Sequence, residues 1–294
     1  MSYKNVEIDL VNMEVDFDVG DEKMDLVGTC NGLVCLGSHS GRLSIVWNPI
    51  TREFRKYLET EISNSFGPKC LVYWGFGYVS TGDDYKIVRL CMNTSSHSLT
   101  VHVYSIRLDT WRVINNDAYD ISNMSYPMLI RTSGLFVNGT LYWRLPEAIC
   151  SFNLESEKLD IFPPHLEVMI NTPLSYVTFS NMLFVVNGCL STYGPCRRGN
   201  DHIFTILKSP EVVEQIIVPK DVAGLMPYAG ILIGFTRSDK IFTQYSRRRL
   251  GVIDLSLHPL NLTPLMKLGG RGVTEAVSYC TSLISPKSLS YKNV

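Results

Sequence analysis

The sequence predicts an all-β fold, a β-propeller of five or six blades closed by its terminal strands. Three observations carry this. A phrase of two hairpins recurs at a period of about 40–50 residues, the spacing of propeller blades. Asn-Gly pairs at Asn31-Gly32, Asn138-Gly139 and Asn187-Gly188 mark one point of that phrase, and Asn-Gly accepts the positive φ angles of a tight hairpin turn. Helical periodicity is sustained nowhere beyond a turn or two.

The copies run in order. The first is CNGLVCL (30–36), the loop GSHSGR (37–42) and LSIVWNPITREFRKY (43–57). The second is YWGFGYVSTGDDYKIVRL (73–90), a loop through His97, then VHVYSIRLDTWRVI (101–114). The third joins GLFVNGTLYWRL (134–145) to AICSFNLESEKLDIF (148–162). The fourth, MLFVVNGCLSTYG (182–194) with HIFTILKSPEVVEQIIV (202–218), is degraded. The fifth is GILIGFTRSDKIFTQYS (230–246) with LGVIDLSLHPLNLTPL (250–265). Such units cannot bury both faces alone, so they stack face to face. Val6–Val19 and Glu275–Ser285 also read as strands, and pairing them would remove two open edges. No linker divides the chain, so residues 1–286 are expected to form one domain and 287–294 a tail. SYKNV occurs at both 2–6 and 290–294, and we have no physical account of it.

Composition excludes several function classes. The 294 residues carry a net charge of −1, with 45% hydrophobic and 19% charged residues. The pI is near 6.6. Neutralising phosphates needs a basic excess, so no nucleic-acid partner is expected. No apolar run approaches the roughly 20 residues of a membrane span, so no membrane partner is expected either. The N-terminus lacks the basic and apolar regions of a secretory signal, which predicts an unsecreted protein of the cytoplasm or nucleus. In that compartment the eight cysteines (30, 35, 70, 91, 150, 189, 196 and 280) read as buried thiols, not disulfides. The sequons at Asn93, Asn123, Asn138 and Asn261 are expected to be silent.

Candidate chemistry yields to plainer readings. The histidines at 39, 97, 102, 165, 202 and 258 show no metal-ligand spacing, so no metal and no cofactor is expected. GSHSG (37–41) has His where a nucleophile elbow has Ser and lies between strands, so it reads as a loop. Asp83 and Asp84 resemble the paired carboxylates of a glycosidase, but beside Gly82 they read as solvated hairpin-tip residues. GGRG (269–272) has no helix after it to complete an anion site and reads as a connection. Trp47, Trp74, Trp111 and Trp143 are expected at equivalent places of successive repeats, packing between blades, with a sugar-stacking platform as the sharper alternative. No catalytic residue is assigned. A propeller glycoside hydrolase or carbohydrate-binding protein is the rival to a protein-binding module.

GTCNGLVCL followed by IVWNPITREFRKY resembles the opening of the plant F-box-associated interaction domain. So do WGFGYVSTGDDYKIVRL with VHVYSIRLDTWRVI, GLFVNGTLYWRL, CSFNLESEKL and the closing EAVSYCTSLISP, in order from about residue 25 to 286. S-locus F-box proteins look similar at this level. The resemblance implies a kelch-like propeller that captures a target protein for ubiquitination, as the substrate-recognition half of an SCF-type ligase receptor. Skp adaptor and cullin would be reached only through an F-box, whose helices are not seen before residue 25, so this chain alone is expected not to bind the adaptor. The fourth repeat departs from the family by lacking the Trp-containing strand near 202–218.

Kelch strand order would bring the second-to-third strand loops (37–42, 91–99, 145–148, 193–201 and 244–249) to one face. Arg197, Arg198, Arg247, Arg248 and Arg249 would then form a basic rim, with His39, Arg42 and His97 on the same side. Arg favours carboxylate recognition and is enriched at interfaces. The plain alternative is a solvated charge run.

Overall fold

A computed structural model describes residues 17–58, 70–93, 95–120, 133–145, 148–162, 182–186, 188–195, 202–209, 212–218, 232–235, 240–246, 249–254, 257, 262–267 and 280–290. They form five four-stranded antiparallel sheets, each with its strands in sequence order. The first sheet is β1 (Met24–Cys30), β2 (Leu33–Ser38), β3 (Leu43–Trp47) and β4 (Phe54–Leu58). The second is β5 (Cys70–Val79), β6 (Asp84–Asn93), β7 (Ser98–Ser105) and β8 (Thr110–Asp120). The third is β9 (Leu135–Val137), β10 (Thr140–Leu145), β11 (Ala148–Asn153) and β12 (Leu159–Phe162). The fourth is β13 (Met182–Val186), β14 (Cys189–Pro195), β15 (His202–Ser209) and β16 (Val212–Val218), a complete sheet despite its degraded sequence. The fifth is β17 (Leu232–Phe235), β18 (Lys240–Ser246), β19 (Arg249–Asp254) and β20 (Leu262–Lys267). The first strands lie side by side in sequence order, β1 against β5, β5 against β9, β9 against β13 and β13 against β17.

Turn chemistry sets the register. Asn31 and Gly32 have φ of 49° and 78°, and Asn138 and Gly139 have 47° and 80°. Both residues of each turn are therefore left-handed, the geometry that joins two right-twisted strands through two residues. Cys30 consequently faces Leu33, and Val137 faces Thr140. The third-to-fourth turns repeat a different device. Asn48 Oδ1 accepts from the Ile50 and Thr51 amides at 2.9 and 3.3 Å. Asn153 Oδ1 accepts from those of Glu155 and Ser156 at 3.1 and 2.8 Å. Ser105 Oγ accepts from the Leu108 amide at 3.1 Å. Four residues after each cap the chain turns left-handed, at Arg52, Asp109 and Glu157.

Aromatic rings seated on glycines join the sheets. Trp74 lies against Gly37 of the first sheet so closely that a Cβ there would stand 2.6 Å from the indole nitrogen. That nitrogen donates to the Ser38 carbonyl at 3.0 Å. Trp143 repeats the arrangement one sheet later. A Cβ on Gly75 would stand 2.6 Å from its ring, and its Nε1 donates to the Trp74 carbonyl at 2.9 Å. The inter-sheet packing expected of these two tryptophans is present, but their equivalence is not. Trp47, Trp74, Trp111 and Trp143 occupy third, first, fourth and second strands respectively. The repeats had been aligned on apolar runs, and the period-2 alternation of strands leaves the position within the sheet open.

Charges are buried in the same seams. Arg89 of β6 is fully buried, with its guanidinium carbon 4.8 Å from the Trp111 ring centre and 5.7 Å from that of Trp74. It donates to the Gly41 carbonyl of the first sheet and meets His102 Nδ1 at 3.4 Å. Burial, reinforced by the Arg89 charge, pushes His102 down to about 4. Between the second and third sheets, buried Lys86 donates to the Leu154 carbonyl at 2.6 Å and to Glu157 at 2.7 Å, and Arg112 joins the same carboxylate. Asp84, expected to be solvated, is 8% exposed. It accepts from Ser105 Oγ at 2.7 Å and from the Arg107 amide at 2.9 Å, a buried brace that composition does not reveal. Asp83 keeps its turn role at a φ of 46°.

The C-terminal strand expected within Glu275–Ser285 is corrected where it is described. Residues 280–285 run without a ladder and lead into a 3-10 turn, Pro286–Ser288. Asn48 Nδ2 holds them through the carbonyls of Ser282 and Ile284 at 2.9 and 2.7 Å. Side-chain capping thus replaces strand pairing. Of the tail expected over 287–294, the described residues reach Ser290, to whose Oγ Arg55 donates at 2.6 Å. Val6–Val15, the expected partner, lies outside the described residues.

Two outcomes follow from these seams. Gly75→Ala should cost about 1–3 kcal/mol through overpacking and lower the thermal midpoint by several degrees. Gly82→Ala, where an added Cβ meets nothing within 4 Å, should leave the melt unchanged and serves as the control. The second outcome concerns acid. The folded chain keeps His102 neutral to about pH 4, while the unfolded chain takes up the proton near 6.5. The unfolded state therefore binds more protons between those values, and stability present above pH 6.5 is lost as pH falls toward 4. Urea titrations at pH 7 and pH 5 should show the wild type losing about 2 kcal/mol more than His102→Gln.

Candidate functional site

The strands end on two faces with different chemistry. On one face the turns of neighbouring sheets bond to each other. Asn31 Nδ2 donates to Tyr85 OH at 3.2 Å, Arg55 pairs with Asp109 at 2.9 Å, and Asn138 Nδ2 donates to the Gly188 carbonyl at 3.2 Å. The docked C-terminal residues cover part of this face. These polar groups hold neighbouring sheets together, while Arg52 and Lys158 on the same face are exposed.

The second-to-third strand loops emerge at the opposite ends of the same strands. The strands before these loops extend to Ser38, Asn93, Leu145, Pro195 and Ser246, further than expected. In the first, His39 Nε2 lies 2.6 Å from Asp25 Oδ1, and Ser40 Oγ donates to Glu22 at 2.8 Å. The loop is thereby tied to the strand before it, and Arg42 is left exposed. Arg89 holds the same loop from below through the Gly41 carbonyl. In the second loop, Asn93 Oδ1 accepts from the amides of Ser95 and Ser96 at 2.9 and 3.2 Å. That cap leads the chain into half-buried His97, at a φ of 50°.

Arg249 is exposed at the first position of β19, opposite Lys267. Arg197, Arg198, Arg247 and Arg248 lie outside the described residues, as does GGRG. His39, Arg42 and His97 therefore stand on two neighbouring loops, with His39 already bound to a carboxylate. The reading of the thiols needs adjustment. Cys30, Cys35, Cys91 and Cys150 are buried, Cys70 and Cys189 are partly exposed, and Cys280 is exposed. Burial pushes Cys30 and Cys150 up to about 12.

The residues missed from sequence are Arg89 and His102. The sequence marks them only as single charged or polar residues interrupting the apolar runs KIVRLCM and TVHVY, and their burial depends on residues far away in the chain. Among the described residues, no group of three His, Cys, Asp or Glu side chains could hold a metal ion. Asp84, Asp109 and Glu157 each serve an inter-strand or inter-sheet contact.

Comparison with known proteins agrees with the architecture. F-box/kelch-repeat protein At3g23880 of Arabidopsis thaliana is 28% identical over 201 residues, covering 66% of this chain and 52% of that protein. F-box protein CPR1 of the same plant is 30% identical over 146 residues, 44% of this chain and 35% of its own length. F-box protein At4g22390 is 26% identical over 194 residues, 56% and 44% of the two chains. This chain thus spans about half the length, or less, of the relatives it matches. Residues 4–193, more than half of the chain, match the F-box associated beta propeller domain, and this chain belongs to that family.

Proposed function

We propose that the chain is a protein-binding module that captures a target protein for ubiquitination, the recognition half of an SCF-type ligase receptor. The observation that carries this reading is family membership over residues 4–193, alongside relatives that are named F-box proteins. Skp adaptor and cullin would be engaged through an F-box and not through these sheets. Such a receptor works in the cytoplasm or nucleus, and we assign the chain there. We further infer that the sheets close into one ring of five or six blades, a reading supported by the sequential adjacency of β1, β5, β9, β13 and β17.

The target-binding face in this reading is the one bearing the second-to-third strand loops. The opposite face spends its turn groups on inter-sheet bonds, whereas Arg42 and Arg249 are exposed. In this reading Arg197, Arg198, Arg247 and Arg248, which lie outside the described residues, would complete a basic rim with Arg249, and His39 and His97 stand on the same face. A partner with an acidic patch gains association rate and orientation from such a rim more than raw affinity.

Replacing the five rim arginines with Glu should abolish enrichment of the target in affinity purification from native tissue. The melt should be nearly unchanged, because exposed charges stabilise little. Charge reversal at Arg52 and Lys158, on turns of the opposite face, should leave capture intact. Normal capture by the rim variant together with loss in the turn variant would assign binding to the opposite face.

A further inference from the structure

We propose that Cys70 and Cys91 are an oxidative modification site, a thiol pair that a hydroperoxide converts into a disulfide between β5 and β6. Register places them together. Val72 faces Cys91 and Cys70 faces Asn93, so the two cysteines are diagonal neighbours on adjacent strands. Side chains alternate along a strand, which puts both on the side that carries Trp74 and Arg89 toward the first sheet. The thiols share a hydrogen bond, and Cys70 Sγ reaches the Leu71 carbonyl at 3.8 Å. Cys70 is partly exposed, whereas Cys91 is 2% exposed.

The electrostatics separate this pair from the other buried thiols. The hydrogen bond from Cys91, aided by the Arg89 charge and opposed by burial, draws Cys70 below the ordinary thiol value. Burial drives Cys30, Cys35 and Cys150 the other way. A thiolate is the nucleophile in this chemistry, so Cys70 is the attacking group and Cys91 the resolving one. The Cys70 thiolate takes the terminal oxygen of the hydroperoxide, whose O–O bond breaks. Cys70 becomes a sulfenic acid, and the other oxygen leaves as water or an alcohol once protonated. The Cys91 sulfur then attacks the Cys70 sulfur, the S–O bond breaks, and a second water leaves with the Cys91 proton. Two thiols have lost two hydrogens and one peroxide has been reduced.

The consequence is local. Diagonal neighbours in an antiparallel pair have Cα atoms roughly 7–8 Å apart, and a disulfide prefers about 5.5–6 Å. Closing the bridge draws the ends of β5 and β6 together beside Asn93, the residue that caps the 94–97 loop. A bridge formed under that tension is of the labile kind that thiol reductants reopen. The site does not depend on what the loop face binds.

The test uses the full reduced chain and hydrogen peroxide, with free thiols blocked at intervals and the digest read by mass spectrometry without reduction. We expect a Cys70–Cys91 linked peptide, two hydrogens lighter than its parts, that dithiothreitol removes. Cys70 should be consumed at least tenfold faster than exposed Cys280 in the same molecule, a comparison that needs no variant. Cys91→Ser should stop the reaction at a sulfenic acid on Cys70 that dimedone traps. Oxidation of Cys280 ahead of Cys70, or bridging of either cysteine to another thiol in the monomer, would overturn the proposal.

Discussion

The fold depends on a tryptophan ring lying flat against a glycine of the preceding sheet, with its indole N–H closed onto a backbone carbonyl there. The glycine is required because a Cβ on Gly37 or Gly75 would stand 2.6 Å from the ring. The hydrogen bond is required because a buried indole N–H without an acceptor forfeits its desolvation. Together they set how closely the first, second and third sheets approach and how they are aligned along the strands. At the Trp74 carbonyl the device is doubled, since the Gly134 amide donates there at 2.5 Å beside Trp143 Nε1. One carbonyl with two lone pairs thus binds the second sheet to the third at two points.

Once the spacing is set, charged groups can enter the seams and find partners across them, although the buried Trp111 Nε1 has no hydrogen-bond acceptor among the described residues. Arg89 packs between two indoles and reaches a carbonyl of the next sheet, and Lys86 reaches both a carbonyl and Glu157. Buried charges of this kind are weak sources of net stability, but removing one partner is costly. Their value lies in registry. Apolar faces slide with little penalty, whereas a guanidinium donating to Gly41 admits one alignment of the second sheet on the first.

Much of this was legible in the sequence. The Asn-Gly pairs at 31–32 and 138–139 located two-residue turns, because turn geometry is a local property. The alternation of KIVRL marks a strand, yet nothing local says that Arg89 is inside. Its burial depends on Trp111 and Gly41, which are far away in the chain. Asp84 misled for the same reason: a hairpin-tip pair was read as solvated, while Ser105 across the sheet draws the second carboxylate inward. The tryptophans could be assigned to strands but not to positions within a sheet. The C-terminal residues read as a strand by composition, yet Asn48 offers them a side-chain amide instead of a strand edge.

The two faces divide the labour that one repeated unit must perform. Each four-stranded sheet has turns at one end, where short connections with fixed caps bring neighbouring sheets within bonding distance. Asn31, Arg55 and Asn138 all act across a seam there. At the other end the described loops are tied within their own sheet, as His39 is to Asp25 and Asn93 is to the amides that follow it, and the first is also held across a seam where Gly41 accepts from Arg89. Side chains such as Arg42, exposed on such a loop, can change without touching a seam, whereas Asn31, Arg55 and Asn138 cannot. That difference in bonding is the physical ground for the proposed target-binding face.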